Sequence, residues 1–212
     1  MLSKCQTSWK GNGYVGWSSS PWGSGYFSGL DPPSGSNFGT NVARASGTIA
    51  VQGSNGVNVY GGSGSTSTLI HTLSCGSMDL SDDGSRVSCV GTSGLGVWGA
   101  QSGSQVGSYI EPGSSGSTAL NQDGSIMAIV TNATPIKIYQ YNNGSWTQLG
   151  GSLEGSGLGA SLNGGAIDLS DDGYTVAIGS YLDDGNGTDS GSVKIFDWNG
   201  TAWVNHILRY FL

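Results

Sequence analysis

A five-residue turn motif recurs along this chain and constrains its fold more than any other feature. Leu80-Ser81-Asp82-Asp83-Gly84 returns as Leu120-Asn121-Gln122-Asp123-Gly124 and again as Leu169-Ser170-Asp171-Asp172-Gly173. Each copy follows a short strand-like run and precedes a longer one. The longer runs are Arg86-Val87-Ser88-Cys89-Val90, Ile126-Met127-Ala128-Ile129-Val130 and Thr175-Val176-Ala177-Ile178-Gly179. A weaker copy lies upstream, where Asn41-Val42-Ala43-Arg44-Ala45-Ser46-Gly47 precedes Thr48-Ile49-Ala50-Val51. Asp-Gly between two β-rich runs signals a hairpin, because Gly accepts positive φ and the Asp side chain caps its own turn. The four glycines Gly47, Gly84, Gly124 and Gly173 lie 37, 40 and 49 residues apart.

The rest of the unit repeats as well. A third run ends in an aromatic: Val57-Asn58-Val59-Tyr60, Gly96-Val97-Trp98, Ile136-Lys137-Ile138-Tyr139 and Val193-Lys194-Ile195-Phe196. A polar turn follows, clearest at Asn143-Gly144 and Asn199-Gly200, and then a fourth run such as Ser145-Trp146-Thr147-Gln148-Leu149. Four antiparallel strands in a meander, repeated about every 40–50 residues, make propeller blades. The sequence therefore predicts an all-β propeller of four four-stranded blades, over about 37–74, 75–114, 115–158 and 159–207. Residues 1–36 hold Trp9, Tyr14, Trp17, Trp22, Tyr26 and Phe27 in a Gly/Ser matrix. They are a candidate partial fifth blade, which would cover a sheet edge. The apolar tail Leu208–Leu212 reads as an edge strand or as the product of a truncated frame.

Composition then excludes several classes. Gly is frequent, at 39 of 212 residues, yet 36% of the chain is hydrophobic and clustered in short runs, which argues against disorder. The net charge is −7, with only 7 Lys and Arg, so a phosphate backbone is repelled and nucleic acid is not an expected partner. No apolar run approaches the ~20 residues of a membrane helix, and no membrane insertion is expected. No signal peptide is visible at the N-terminus. Three cysteines do not make a disulfide framework. Cys75 and Cys89 flank one hairpin and read as two small buried thiols, with a disulfide as the alternative.

The residues resemble FG-GAP-type repeats of integrin-α-like β-propellers. Phe38-Gly39-Thr40-Asn41-Val42-Ala43 followed by Ile49-Ala50-Val51 is similar to the opening of such a blade. Leu169 to Trp203 follows a divergent branch of these repeats almost without departure, and the resemblance covers roughly residues 37–207. It implies a propeller used for adhesion or ligand binding, often outside the cell, with calcium held in some members by the loop after the second strand or by the blade hairpins. Two departures stand out. The first three repeats lack an acidic loop, and propellers of this family commonly have more than four blades.

The acidic loop of the last repeat is the candidate metal site. Asp183, Asp184, Asn186 and Asp189 sit on a Gly-rich loop, and a hard cation such as calcium needs several oxygens on such a loop. A solvated acidic turn is the plainer reading. The Asp-Gly turns at Asp82, Asp83, Asp171 and Asp172 read as structural. Catalytic residues are not expected. A sialidase-like glycosidase needs an arginine cluster, and the chain has only Arg44, Arg86 and Arg209. The reading is a non-catalytic binding or adhesion module with a protein or carbohydrate ligand on one face of the ring. A propeller-fold hydrolase and a fragment of a longer repeat protein are the alternatives. Four Asn-x-Ser/Thr sequons, at Asn132, Asn143, Asn186 and Asn199, fit secretion without establishing it.

Overall fold

The computed structural model describes residues 38–62, 67–91, 93–111, 116–131, 135–153, 167–180 and 183–206. Among these residues there are fifteen strands and no helix. The first blade holds β1 (Asn41–Ala45), β2 (Thr48–Gly53), β3 (Gly56–Gly61) and β4 (Thr68–Leu73). The second holds β5 (Ser77–Leu80), β6 (Arg86–Gly91) and β7 (Gly94–Gly99). The third holds β8 (Gly116–Leu120), β9 (Ile126–Thr131), β10 (Lys137–Asn142) and β11 (Ser145–Gln148). The fourth holds β12 (Ile167–Leu169), β13 (Thr175–Ser180), β14 (Ser192–Trp198) and β15 (Trp203–His206). Within each blade the strands pair antiparallel in chain order. The expected all-β propeller architecture is thus observed. The expected partial fifth blade (1–36), the tail (208–212), Cys5 and Arg209 lie outside the described residues.

One blade departs from the four-stranded expectation. The second has three strands, and residues 105–111 hold the fourth position through isolated bridges, Trp98 to Gln105 and Leu95 to Glu111. Val106 N–H donates to Val97 C=O at 2.7 Å and Ile110 N–H to Leu95 C=O at 2.8 Å. The stretch Gln101-Ser102-Gly103-Ser104-Gln105-Val106-Gly107 has one apolar side chain to pack, and Gly107 turns out of the extended region at φ 76°. A continuous strand cannot pass through such a residue.

The core is a set of three seams between successive blades. Ala50, Val57 and Val59 meet Met78, Val87 and Cys89. Val90, Leu95 and Val97 meet Leu120, Met127 and Ile129. Ala128, Val130 and Ile138 meet Val176, Ile178 and Phe196. Residues 126–130 of β9 are therefore all apolar, because both faces of that strand are seams. The inner strands β1, β5, β8 and β12 pack in succession. Among the described residues, comparable packing between the fourth blade and the first is absent.

The repeated turn is a joint between blades. Asp83 N–H donates to Gln122 C=O at 2.9 Å, and Gln122 N–H donates to Asp171 C=O at 3.1 Å. Thr48 Oγ1 donates to Gly84 C=O at 3.0 Å, and Arg86 Nη1 donates to Gly124 C=O at 3.1 Å. The motif glycines have φ of 73°, 67° and 76° at Gly84, Gly124 and Gly173. Space demands glycine there as well. A Cβ on Gly84 would lie 2.5 Å from Ala45 O, one on Gly124 2.8 Å from Arg86 Cβ, and one on Gly173 2.7 Å from Ile126 Cδ1. Each turn presses on the preceding blade, so the motif recurs with the seams.

Candidate functional site

Antiparallel meanders send alternate connections to opposite ends of the blades. The Asp-Gly turns occupy one end. At the other end lie the loops between second and third strands, with the links from blade to blade. Those loops span two residues in each of the first two blades, 132–136 in the third and 181–191 in the fourth.

The Asp-Gly end has little free chemistry. Asp83 Oδ1 accepts from Ser81 Oγ at 2.7 Å and from Ser85 N–H at 2.8 Å. Asp172 Oδ1 accepts from Ser170 Oγ at 2.6 Å and from Tyr174 N–H at 3.0 Å. These bonds, Ser170 first, hold the Asp172 carboxyl below the usual carboxylate range. Burial pushes the Asp123 carboxyl up, but bonds from Ser125 and Asn121 and the Arg86 charge outweigh it, and its pKa is lowered. The Arg86 guanidinium is spent on Gly124 C=O and on the Tyr141 ring, 5.1 Å from its centroid.

The opposite end has a shallow cleft of about 230 Å³ at the seam of the first two blades. Its rim carries Thr72, Ser74, Ser93, Trp98 and Tyr109, and its floor carries Cys75 and Cys89. The two rings meet edge to face at 6.1 Å. The Trp98 indole runs along Gly96, where a Cβ would lie 2.7 Å from its Cη2. Trp98 occupies the repeated aromatic position: it pairs with Val87, as Tyr60 does with Ile49, Tyr139 with Met127 and Phe196 with Val176. Tyr139 and Phe196 are buried in seams and Tyr60 is buried on the outer face of the first blade, whereas Trp98 is half-buried.

The two cysteines form a disulfide, which corrects the free-thiol expectation. Gly76 N–H donates to Val90 C=O at 2.8 Å, so the link before β5 continues the ladder and carries Cys75 beside Cys89. Their Cα atoms are 5.7 Å apart, the usual separation of a bridge.

The acidic loop of the fourth blade lies at the same end. Asp183 Oδ2 accepts from Ser192 Oγ at 2.5 Å and faces Lys194 Nζ at 3.6 Å, and Asp183 Oδ1 accepts from Gly185 N–H at 3.0 Å. The Ser192 and Gly185 bonds lower the Asp183 pKa, with Lys194 adding to them. Asp184 Oδ1 accepts from Asp189 N–H at 2.7 Å. Asn186 N–H donates to Ser190 Oγ at 3.2 Å. The loop therefore directs Asp183 and Asp184 to its own backbone and to Lys194. Among the described residues, no three acidic, His or Cys side chains converge on one centre.

A tied triad lies between the second and third blades. Glu111 bonds Lys137 Nζ at 2.5 Å and also accepts from the Tyr139 hydroxyl. Burial pushes the Glu111 carboxyl up, but these donors prevail and its pKa falls. Burial and the Glu111 carboxylate raise the Tyr139 pKa. This triad fastens residues 105–111 to the third blade. Sequence reading missed it because Glu111 lies in a segment without strand pattern.

No family profile matches the chain, and no curated protein matches it in sequence. Solved structures do match. KlAtg21, solved with the coiled-coil of AgAtg16, aligns with a TM-score of 0.55 at 17% identity, over 76% of this chain and 53% of that one. A candidate 6-phosphogluconolactonase of Bacteroides uniformis aligns with a TM-score of 0.53 at 13% identity, over 77% and 55%. The β-propeller domain of Cps50 (Swd1) from Myceliophteria thermophila aligns with a TM-score of 0.53 at 11% identity, over 74% and 55%. The likeness is one of fold: this chain has a propeller-type fold. It spans about half the length of the propellers it matches.

Proposed function

We propose that this chain is a non-catalytic propeller module that binds a protein or glycan ligand at its loop end. The observation that carries this reading is the Trp98–Tyr109 cleft beside the disulfide. Its volume is below the ~300–1,000 Å³ of sites that enclose drug-sized molecules. It suits one side chain of a protein partner, or one sugar ring stacked on an aromatic face. The carboxylates described at the Asp-Gly end are engaged in their own turns, and Arg86 is engaged in a joint. Neither supplies an acid/base pair to the cleft. KlAtg21, by its description, was solved with a coiled-coil, which supports a protein ligand over a free small molecule.

Placement outside a cell or on a particle is part of this reading. The disulfide suits an oxidising compartment. Asn143, Asn186 and Asn199 each open a sequon on an exposed turn. Adhesion, in the manner of the FG-GAP-type repeats, would be its use. Calcium enters only through the Asp183–Asp189 loop, and its binding there requires Lys194 to withdraw from Asp183.

The test is a binding screen of the purified chain on a glycan array and on immobilised coiled-coil peptides, with Trp98→Ala as the control. The expected result is a hit that weakens about tenfold or more in the variant, as removal of an aromatic anchor does. Turnover of chromogenic glycosides or of a sugar lactone would sink the reading in favour of a hydrolase. The half-length match to all three propellers favours a second reading, in which this module is part of a larger ring.

A further inference from the structure

Three Asn-x-Ser/Thr sequons lie in the described residues, at Asn143, Asn186 and Asn199, and all three asparagines are exposed. Exposure therefore does not separate them. Their hydrogen bonding does. An N-linked sugar is carried on the amide nitrogen Nδ2, so that nitrogen must be free while the amide oxygen holds the side chain in place.

The turn between β14 and β15 meets both demands. Asn199 Oδ1 accepts from Thr201 N–H at 3.0 Å, from Thr201 Oγ1 at 2.9 Å and from Ala202 N–H at 2.9 Å. The Asn199 N–H donates to Ala202 C=O at 3.1 Å and closes the turn. This is an Asx-turn in which the carboxamide is fixed entirely through its oxygen. Among the described residues, Asn199 Nδ2 has no hydrogen-bond partner. The donors on Oδ1 draw charge onto that oxygen and make an Nδ2 proton easier to lose. The sequon hydroxyl, on Thr201, is one of those donors.

The other two sequons lack this arrangement. Asn143 stands at φ 49° in the turn between β10 and β11, and no hydrogen bond joins its side chain to Ser145. Asn186 donates its backbone N–H to Ser190 Oγ at 3.2 Å, and no hydrogen bond joins its side chain to Thr188. Space favours Asn199 too. Residues 199–202 are exposed, and a Cβ on Gly200 would meet nothing within 4 Å. The turn lies at the Asp-Gly end of its blade, so a chain of sugars there leaves the Trp98–Tyr109 cleft at the opposite end open.

We propose that Asn199 is the acceptor of an N-linked oligosaccharide, donated from a polyprenyl diphosphate. Nδ2 forms a bond to the anomeric carbon of the first sugar. The bond from that carbon to the diphosphate oxygen breaks, and the diphosphate leaves with the electron pair. Nδ2 gives up one proton to a base of the transferring enzyme. Oδ1 keeps its three hydrogen bonds in the product, so the turn survives and carries the sugar on a fixed stem. The inference rests on the reading that places this chain outside the cell.

The test expresses the full chain behind a cleavable secretion leader in a eukaryotic cell line. Occupancy at each asparagine is read by mass spectrometry of peptides from the microsomal and secreted fractions alike. Asn199 should carry glycan in most molecules, and more often than Asn143 or Asn186. Thr201→Ala should cut occupancy at Asn199 at least about tenfold, because the sequon hydroxyl is gone. Asn199→Asp keeps an oxygen for the turn and removes the acceptor nitrogen, so it should lose this glycan at an unchanged melting temperature. A bare Asn199 in the microsomal fraction, or one occupied less often than Asn186, would overturn the proposal. A glycosylated chain that binds no glycan or peptide would overturn the proposed ligand function and leave the acceptor standing, and a chain that binds with Asn199 bare would do the reverse.

Discussion

The two ends of the blades follow opposite rules. At the Asp-Gly end, turns of one length recur in the last three blades, their carboxylates cap their own backbones, and successive turns bond one another from the second blade to the fourth. At the other end, the loops differ in length and composition, and the aromatic rim of the cleft is unique to one blade. Repetition in this chain therefore marks what joins blades. Departure from repetition marks where a ligand can be recognised, because a joint must be the same at every seam and a site need exist only once.

That contrast can be broken by substitution. The largest effect should come from Gly84→Ala. Its methyl would meet a backbone oxygen at 2.5 Å and hold φ 73°, so left-handed strain and overpacking add to about 3 kcal/mol, read by urea unfolding. Gly144→Ala has open space and φ 88°, and should cost only about 1–2 kcal/mol. Equal losses at the two sites would refute the claim that the motif glycine is fixed by the neighbouring blade.

Removing the disulfide, as Cys75→Ala/Cys89→Ala, should cost about 3 kcal/mol, the chain-entropy value for a separation of 14 residues. An unchanged melting temperature in dithiothreitol would count against the bridge. Asp79→Ala should cost about 1–3 kcal/mol, because the Leu120 N–H is left buried at the seam without its acceptor. Its size can be set beside that of a loop-end change such as Trp98→Ala, which should alter ligand binding far more than folding.

Acid should act on both ends of the blades. The Asp123 and Asp172 carboxyls at the joint end, and those of Glu111 and Asp183 at the other, have lowered pKa values in the folded chain. A lowered carboxylate adds stability above its unfolded pKa, and that stability is lost as pH falls through the folded value. The melting temperature should hold steady above about pH 5 and fall progressively below about pH 4. A maximum on the acid side would contradict the turn bonding. The smallest effect should be that of Asp183→Asn, since the amide keeps an oxygen for Gly185 and Ser192 at the part-exposed end of the hairpin and loses only the charge facing Lys194.

Much of the architecture was legible because the same residues solve the same problem at each seam. Gly84, Gly124 and Gly173 announce the turns, and Tyr60, Tyr139 and Phe196 announce the third strands. The fourth strand of the second blade was not legible as absent, since its Gly/Ser-rich sequence differs little from the chain's other turns. The disulfide required the ladder to continue through Gly76, a register that spacing does not give. The loop from Asp183 to Asp189 shows the opposite limit. Its composition suits a cation, but its geometry turns Asp183 towards Lys194, which stands eleven residues away in sequence and across the hairpin. The cleft was the least visible feature, because Trp98 carries the same repeat signature as three buried rings.

The turn joints also bear on how such a chain can grow. Gln122 is both acceptor for the blade before it and donor to the blade after it. A unit of this kind carries both halves of its own coupling. Duplicating the coding segment for one blade would insert a part that already fits its neighbours on each side, so blade number can drift in evolution while the contacts that make a blade stay under selection.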